Sequence, residues 1–205
     1  ITSDNSTLTF DQRGNTEIQL NELSLLDTQL RVLDPTSKTR FSITTLKDYD
    51  AYKYRIIDKN YNYIDKADPY AYYSEYRPRD ASKVYNLEGF PWMDGEWIKK
   101  RTKNYDKPMS IYEIHFGSWR KKPNGDYYSY EEMADRLIPY VKERGYTHIE
   151  ILPLLEHPFD GSWGYQCSQY FSITSRYGNP SQLKHLINTL HKNNIGVIID
   201  FVPVH

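Results

Sequence analysis

The sequence predicts an α/β protein in which a parallel sheet is preceded by an all-β, sandwich-like module. Two observations carry this. Residues 1–65 hold short runs that alternate apolar and polar side chains, and residues 109–205 alternate apolar strands with amphipathic helices. The first grammar is that of antiparallel strands joined by turns. The second is that of parallel strands joined by helical crossovers. Residues 66–108 fit neither pattern and are read as a linker or surface-hugging connection.

In the first segment TEIQL, QLRVL, TRFSITT and AYKYRII are the strand candidates, broken by RG, DPTS and KDYD. In the connection, ADPYAYYSEYRPRD, EGFPWMDG and KKRTKNYDKP concentrate Pro, Gly and charge, which punctuate rather than extend regular structure. After Pro108, SIYEIHF (110–116) is a strand. SYEEMADRLIPYVKERG (129–145) is a helix: Ser129 and Glu132 form a capping box, and Met133, Leu137 and Val141 share one face. Gly145 provides the left-handed stop, while Pro139 predicts a kink or the loss of a turn. HIEIL (148–152) is the second strand. Asn179 and Pro180 open a second helix as N-cap and first residue, with Leu183, Leu186, Ile187 and Leu190 as its apolar stripe. IGVIIDFV (195–202) is the third strand. Its unbroken apolar run predicts a sheet covered on both faces.

Composition excludes several function classes. A net charge of −1 lacks the basic footprint of a nucleic-acid binder. No apolar run approaches the roughly 20 residues of a membrane-spanning helix. The single cysteine, Cys167, cannot form an internal disulfide, which fits a reducing, cytoplasmic location. The chain opens ITSDNST, without an initiator Met or an apolar leader, and is expected to be processed or cut from something longer. Twenty tyrosines, dense between Tyr49 and Tyr76, offer flat apolar faces with polar tips that suit sugars. The same residues equally serve as ordinary half-buried strand side chains.

In parallel α/β folds, sites form at the carboxyl ends of strands. Three stretches fall there: Phe116-Gly117-Ser118-Trp119, EHPFDGSWGYQ (156–166) and DFVPVH (200–205). The second spends two carboxylates and several aromatics on one connection, and long loops of that kind are usually functional. Asp200 ends an apolar strand, where a carboxylate is costly unless it is partnered, for a functional or a structural purpose. Asp200 with His205, flanking Pro203, is a better candidate pair than either residue alone. Asp160, Asp200 and His205 lack the spacing of a zinc site or a calcium loop. There is no Gly-rich phosphate loop and no G-x-S-x-G elbow. Carboxylates, a histidine and aromatics on strand-end loops fit carbohydrate chemistry, in which two carboxylates flank the bond being cut.

SIYEIHFGSW, IEILPLLEHPFDGSWGYQ and IDFVPVH together resemble the first three barrel strands of bacterial glycogen (1,4-α-glucan) branching enzymes, of the α-amylase superfamily. YKYRIID (52–58) and KADPYA (66–71) extend the resemblance to about residues 50–205; residues 1–48 match no part of that family. The resemblance implies a (β/α)8 barrel preceded by a carbohydrate-binding module. It implies cleavage of an α-1,4-glucan and transfer of the piece to form an α-1,6 branch, with retention at the anomeric carbon. By position, Tyr165 resembles the aromatic that stacks on the sugar before the cut, His205 the histidine that hydrogen-bonds that sugar, and Asp200 the carboxylate that orders the polar network. Glu156 and Asp160 are then loop-shaping and Trp163 a packing residue. Val204 stands where many amylases carry a calcium-binding Asn, so no metal is expected, nor any cofactor.

The family's nucleophile, acid/base and second stabilising acid come from later strands, and a whole barrel takes about 250 residues. Residues 109–205 suffice for three strands. The chain is therefore expected to be a monomeric N-terminal fragment that binds α-glucan without reacting on it. Related debranching or trehalose-releasing hydrolases, and a non-catalytic glucan-binding module, are the alternatives.

Overall fold

The computed structural model describes residues 47–57, 62–101 and 107–203, together with four earlier strands as backbone. Those strands are β1 (Thr7–Phe10), β2 (Thr16–Gln19), β3 (Gln29–Leu33) and β4 (Arg40–Thr44). They are followed by β5 (Ala51–Tyr52), β6 (Tyr54–Ile57) and β7 (Tyr63–Lys66). β1, β2, β6 and β7 form one antiparallel sheet, and β3 pairs with β4 in a separate hairpin. All four predicted runs are strands. The sandwich packing expected of residues 1–65 lies outside the described residues.

The connection is built of short pieces: β8 (Tyr73–Ser74), β9 (Ser82–Lys83) and helix α1 (Gly95–Lys100). β9 pairs with both β8 and β5. Hydrogen bonds tie this strap to residues nearly a hundred positions later. Ser74 Oγ donates to Gln169 Oε1 at 2.8 Å, and Met93 N donates to Asn188 Oδ1 at 2.8 Å. Tyr85 Oη donates to Ser181 Oγ at 2.7 Å, and His191 Nδ1 meets Asp94 Oδ2 at 2.8 Å. The Pro, Gly and charge of the segment suppress long elements, yet its polar groups still find partners, and the buried Ser74 hydroxyl finds a buried one in Gln169, as it must where water is excluded.

The α/β unit runs β10 (Ile111–Ile114), α2 (Phe116–Trp119), α3 (Tyr130–Glu143), β11 (His148–Ile151), β12 (Leu155–Glu156), β13 (Gln169–Ile173), α4 (Pro180–Lys192) and β14 (Gly196–Ile199). β10, β11 and β14 form a parallel sheet in chain order. Both crossover helices share a single core with it. Met133, Leu137 and Val141 from α3 and Leu183, Leu186 and Leu190 from α4 close over Ile114, Ile149 and Ile151. Sequential strands with both helices on one face is the winding of a barrel wall rather than of a doubly wound sheet. Leu137, Leu186 and Leu190 are fully buried, each stabilising the fold by about 1.5–3 kcal/mol.

Both helices start on reciprocal capping boxes, Ser129 with Glu132 and Asn179 with Gln182. α3 passes through Pro139 without a break. The proline deprives the Asp135 carbonyl of its N–H partner, but both residues are exposed, so water replaces the lost bond.

Within this chain α3 and α4 cover one face of the three-stranded sheet. Register alternates side chains between faces, so Glu113 and Glu150, which are direct neighbours, lie opposite the helices with Ile111. Glu113 is exposed and Glu150 half-buried, and Ile111 is 42 % exposed.

Among the described residues no helix is long and apolar enough to cross a membrane.

Candidate functional site

The three strand-end stretches converge at one edge of the parallel sheet. β10 ends at Ile114 and turns directly into α2, where a Cβ on Gly117 would lie 2.7 Å from Tyr177 Oη and force that side chain to shift. β14 ends at Ile199. The Asp200 amide still donates to the Ile151 carbonyl at 2.9 Å, which prolongs the β11–β14 ladder by one bond. Asp200 is thereby placed by the sheet itself.

Tyr165 reaches Asp200 from the intervening loop. Its Oη donates to Asp200 Oδ2 at 2.8 Å across 35 residues of sequence. That bond, helped by partial burial and by the charges of Glu113 and Glu150, pushes the phenol up to about 12. Tyr165 therefore stays a neutral donor at any physiological pH, with its ring orientation tied to a strand end. The structure thus brings together two of the three predicted site residues. The third, His205, lies outside the described residues, as does Val204.

The loop between them is held at several points. Gly164, at φ +94°, sits so close to Pro153 that a Cβ would meet its carbonyl oxygen at 2.3 Å. Trp163 adopts φ 55°, unusual for a bulky side chain. One face of its indole stacks on His115 at 5.3 Å between ring centres, and the side chain is 50 % exposed. Trp163 thus packs on His115 and stays half exposed. His115 Nδ1 also contacts Ser118 Oγ at 2.9 Å.

Beneath the loop lies an ion cluster. Arg176, 7 % exposed, donates through Nη1 to Glu156 Oε1 at 2.7 Å and through Nη2 to Asp160 Oδ1 at 2.7 Å. Glu156, equally buried, also accepts from the Ser175 amide at 2.7 Å. A second guanidinium, Arg77 from the strap, forks onto both oxygens of Asp160. The two arginines hold the Asp160 carboxyl well below the usual carboxylate range, the Arg77 bonds contributing most. Glu156 and Asp160 are committed to shaping the loop. Arg77, Asp160 and Arg176 also line a cleft of about 590 Å³ together with Tyr76, Lys122 and Tyr127.

Burial lowers the imidazoles of His115 and His157 from their ordinary value of 6.5. His157 donates Nδ1–H to the Leu155 carbonyl at 2.8 Å, which only a protonated Nδ1 can do. With folded values below the unfolded one, the unfolded chain takes up protons first as pH falls. Their stabilisation is complete above pH 6.5 and is lost as pH drops through the folded values. The melting temperature is expected to fall between about pH 7.5 and about pH 5.5, and His157→Gln to flatten that slope. A melting temperature that held or rose on acidification would contradict this account.

Sequence reasoning did not single out Arg77, His115 or Arg176. His115 could have been found from its place immediately after a strand. The arginines carry no such signal, because their carboxylate partners lie at unrelated distances along the chain.

Three parallel strands in chain order with both crossover helices on one face define the class: a partial (β/α)-barrel region. Residues 96–205 match the family model of the alpha amylase catalytic domain, and the chain belongs to that family. Over 156 residues it is 57 % identical to the 1,4-alpha-glucan branching enzyme GlgB of Bacillus caldolyticus, a match covering 75 % of this chain and 23 % of that enzyme. The Fusobacterium nucleatum enzyme of the same name is 51 % identical over 163 residues, covering 80 % of this chain and 27 % of the relative. The chain thus spans about a quarter of the length of these relatives. In fold it is similar to a mutant pullulanase from Paenibacillus barengoltzii solved with maltotetraose. That match has a TM-score of 0.58 at 19 % identity, over 74 % of this chain and 28 % of that one.

Proposed function

We propose that this chain forms part of a 1,4-α-glucan branching enzyme, which cleaves an α-1,4 bond and rejoins the piece through an α-1,6 bond by a retaining double displacement. The observation that carries the reading is the hydrogen bond from Tyr165, on the loop between β12 and β13, to Asp200 at the end of β14, in a chain 57 % identical to such an enzyme over 156 residues. In this reading Tyr165 lays its ring against the sugar preceding the cut, where an aromatic face suits the sugar's axial hydrogens. Asp200 spends Oδ2 on Tyr165, and Oδ1, which has no protein partner among the described residues, is left to accept from a sugar hydroxyl. His205 hydrogen-bonds the same sugar.

The nucleophile and the acid/base belong to residues this chain does not contain. Residues 109–205 are then one wall of the barrel, 66–108 its external strap, and 1–65 a sandwich-like carbohydrate-binding module. The ligand is α-glucan, the protein a cytoplasmic monomer, and neither metal nor cofactor takes part.

Incubating amylose with a full-length enzyme carrying residues 1–205 should generate new α-1,6 linkages. The isolated chain should generate none. Free oligosaccharides in place of branches would assign the enzyme to a debranching or trehalose-releasing activity instead, and branch formation by the isolated chain would overturn the division of the site.

A further inference from the structure

We infer that Arg77, contributed by the strap outside the parallel sheet, is a positioning residue for Tyr165 and acts on it through Asp160. The inference rests on the sugar-contacting role given to Tyr165 above, and its mechanical part stands on geometry alone.

Asp160 is gripped from two sides. Arg77 Nε donates to Oδ1 at 2.6 Å while Nη2 donates to Oδ2, a planar fork that fixes both the place and the tilt of the carboxylate. Arg176 brings Nε and Nη2 to Oδ1, at 2.8 and 2.7 Å. The two cations differ in what else they do. Arg176 is buried and also balances Glu156, so the fold depends on it. The Arg77 side chain is 28 % exposed, and its removal still leaves Asp160 a guanidinium partner.

From Asp160 the constraint runs along backbone to Tyr165. Asp160 opens a 3-10 turn whose carbonyl accepts from the Trp163 amide at 3.1 Å. The Ser162 carbonyl accepts from the Tyr165 amide at 2.9 Å, and Ser162 Oγ donates to the Phe159 carbonyl at 2.7 Å. With Trp163 in the left-handed region and Gly164 wedged against Pro153, the turn has little room to adjust without moving Tyr165.

Arg77 is itself well mounted. The Glu75 carbonyl accepts from Ser175 Oγ at 3.1 Å and the Glu75 amide donates to the Ala81 carbonyl at 2.9 Å, next to the buried Ser74. The strap thus reaches over β13 and sets one wall of the strand-end loop from outside.

The test uses Arg77→Ala and Arg77→Lys in a full-length enzyme carrying residues 1–205, with two readouts. Hydrogen exchange of the Trp163 and Tyr165 amides should quicken about 10-fold in Arg77→Ala, as local opening becomes easier. Branch-forming kcat should fall about 10-fold with KM changed less than about 2-fold, since small misplacements near the reacting carbon act on turnover. Arg77→Lys should recover less than half of either effect, because a point charge cannot reproduce the fork. Unchanged exchange overturns the clamp. Faster exchange with unchanged kcat overturns the positioning role, and full rescue by lysine overturns the fork. If the unmutated enzyme forms no branches, the functional reading fails, and exchange alone then decides the clamp.

Discussion

Tyr165→Ala in a full-length enzyme carrying this chain is expected to lower branch-forming turnover about 100-fold, the cost of slight misplacement at a reacting centre. Two losses combine. The ring proposed to pack on the sugar disappears, and Asp200 loses the donor that orients it at 2.8 Å. Tyr165→Phe separates them, because it keeps the ring and removes only the hydroxyl. It should therefore keep more activity than Tyr165→Ala. Single-turnover measurements on amylose would show this, and an alanine variant turning over at the normal rate would end the assignment of Tyr165 to the sugar site.

Arg176→Met in this chain is expected to cost about 3–5 kcal/mol of folding stability, the usual penalty for removing one partner of a buried ion pair. The penalty comes from Glu156, whose side chain is 7 % exposed and would face its buried surroundings without the guanidinium. The double variant Arg176→Met, Glu156→Gln should be less damaging than the sum of the two single changes, since the stranded charge is gone. Urea titration of the three variants would measure the coupling. A loss below about 1 kcal/mol for Arg176→Met would mean that water reaches Glu156. The Arg77 variants probe the other end of the same cluster, where the partner is half in solvent and stability should change far less.

The two arginines mark where sequence reading stops. A capping box spans three residues, so Ser129–Glu132 and Asn179–Gln182 are visible in the sequence and present in the fold. An apolar stripe spans a few turns, so the faces of α3 and α4 are visible too. Arg176 meets carboxylates 16 and 20 residues away and Arg77 meets one 83 residues away, and no local pattern encodes such distances. The strap illustrates the same limit. Read along the chain it is a run of turn residues, and only its partners Gln169, Asn188 and Ser181 make it part of the fold.

By itself the sequence left β1, β7, the strap strands and the β12–β13 pair unread. It determined the three parallel strands, four of the earlier strand runs, the two capped helices, their order, and a family resemblance concentrated in the strand-end stretches. These depend on periodicity and on interactions within a few residues. Tertiary structure alone decided that Tyr165 bonds Asp200, that Glu156 and Asp160 answer to Arg176 and Arg77, and that Glu113 and Glu150 come side by side on the sheet face opposite the helices. The physical reason is that charge pairing and burial depend on distance in space, and a folded chain sets that distance independently of separation along the backbone.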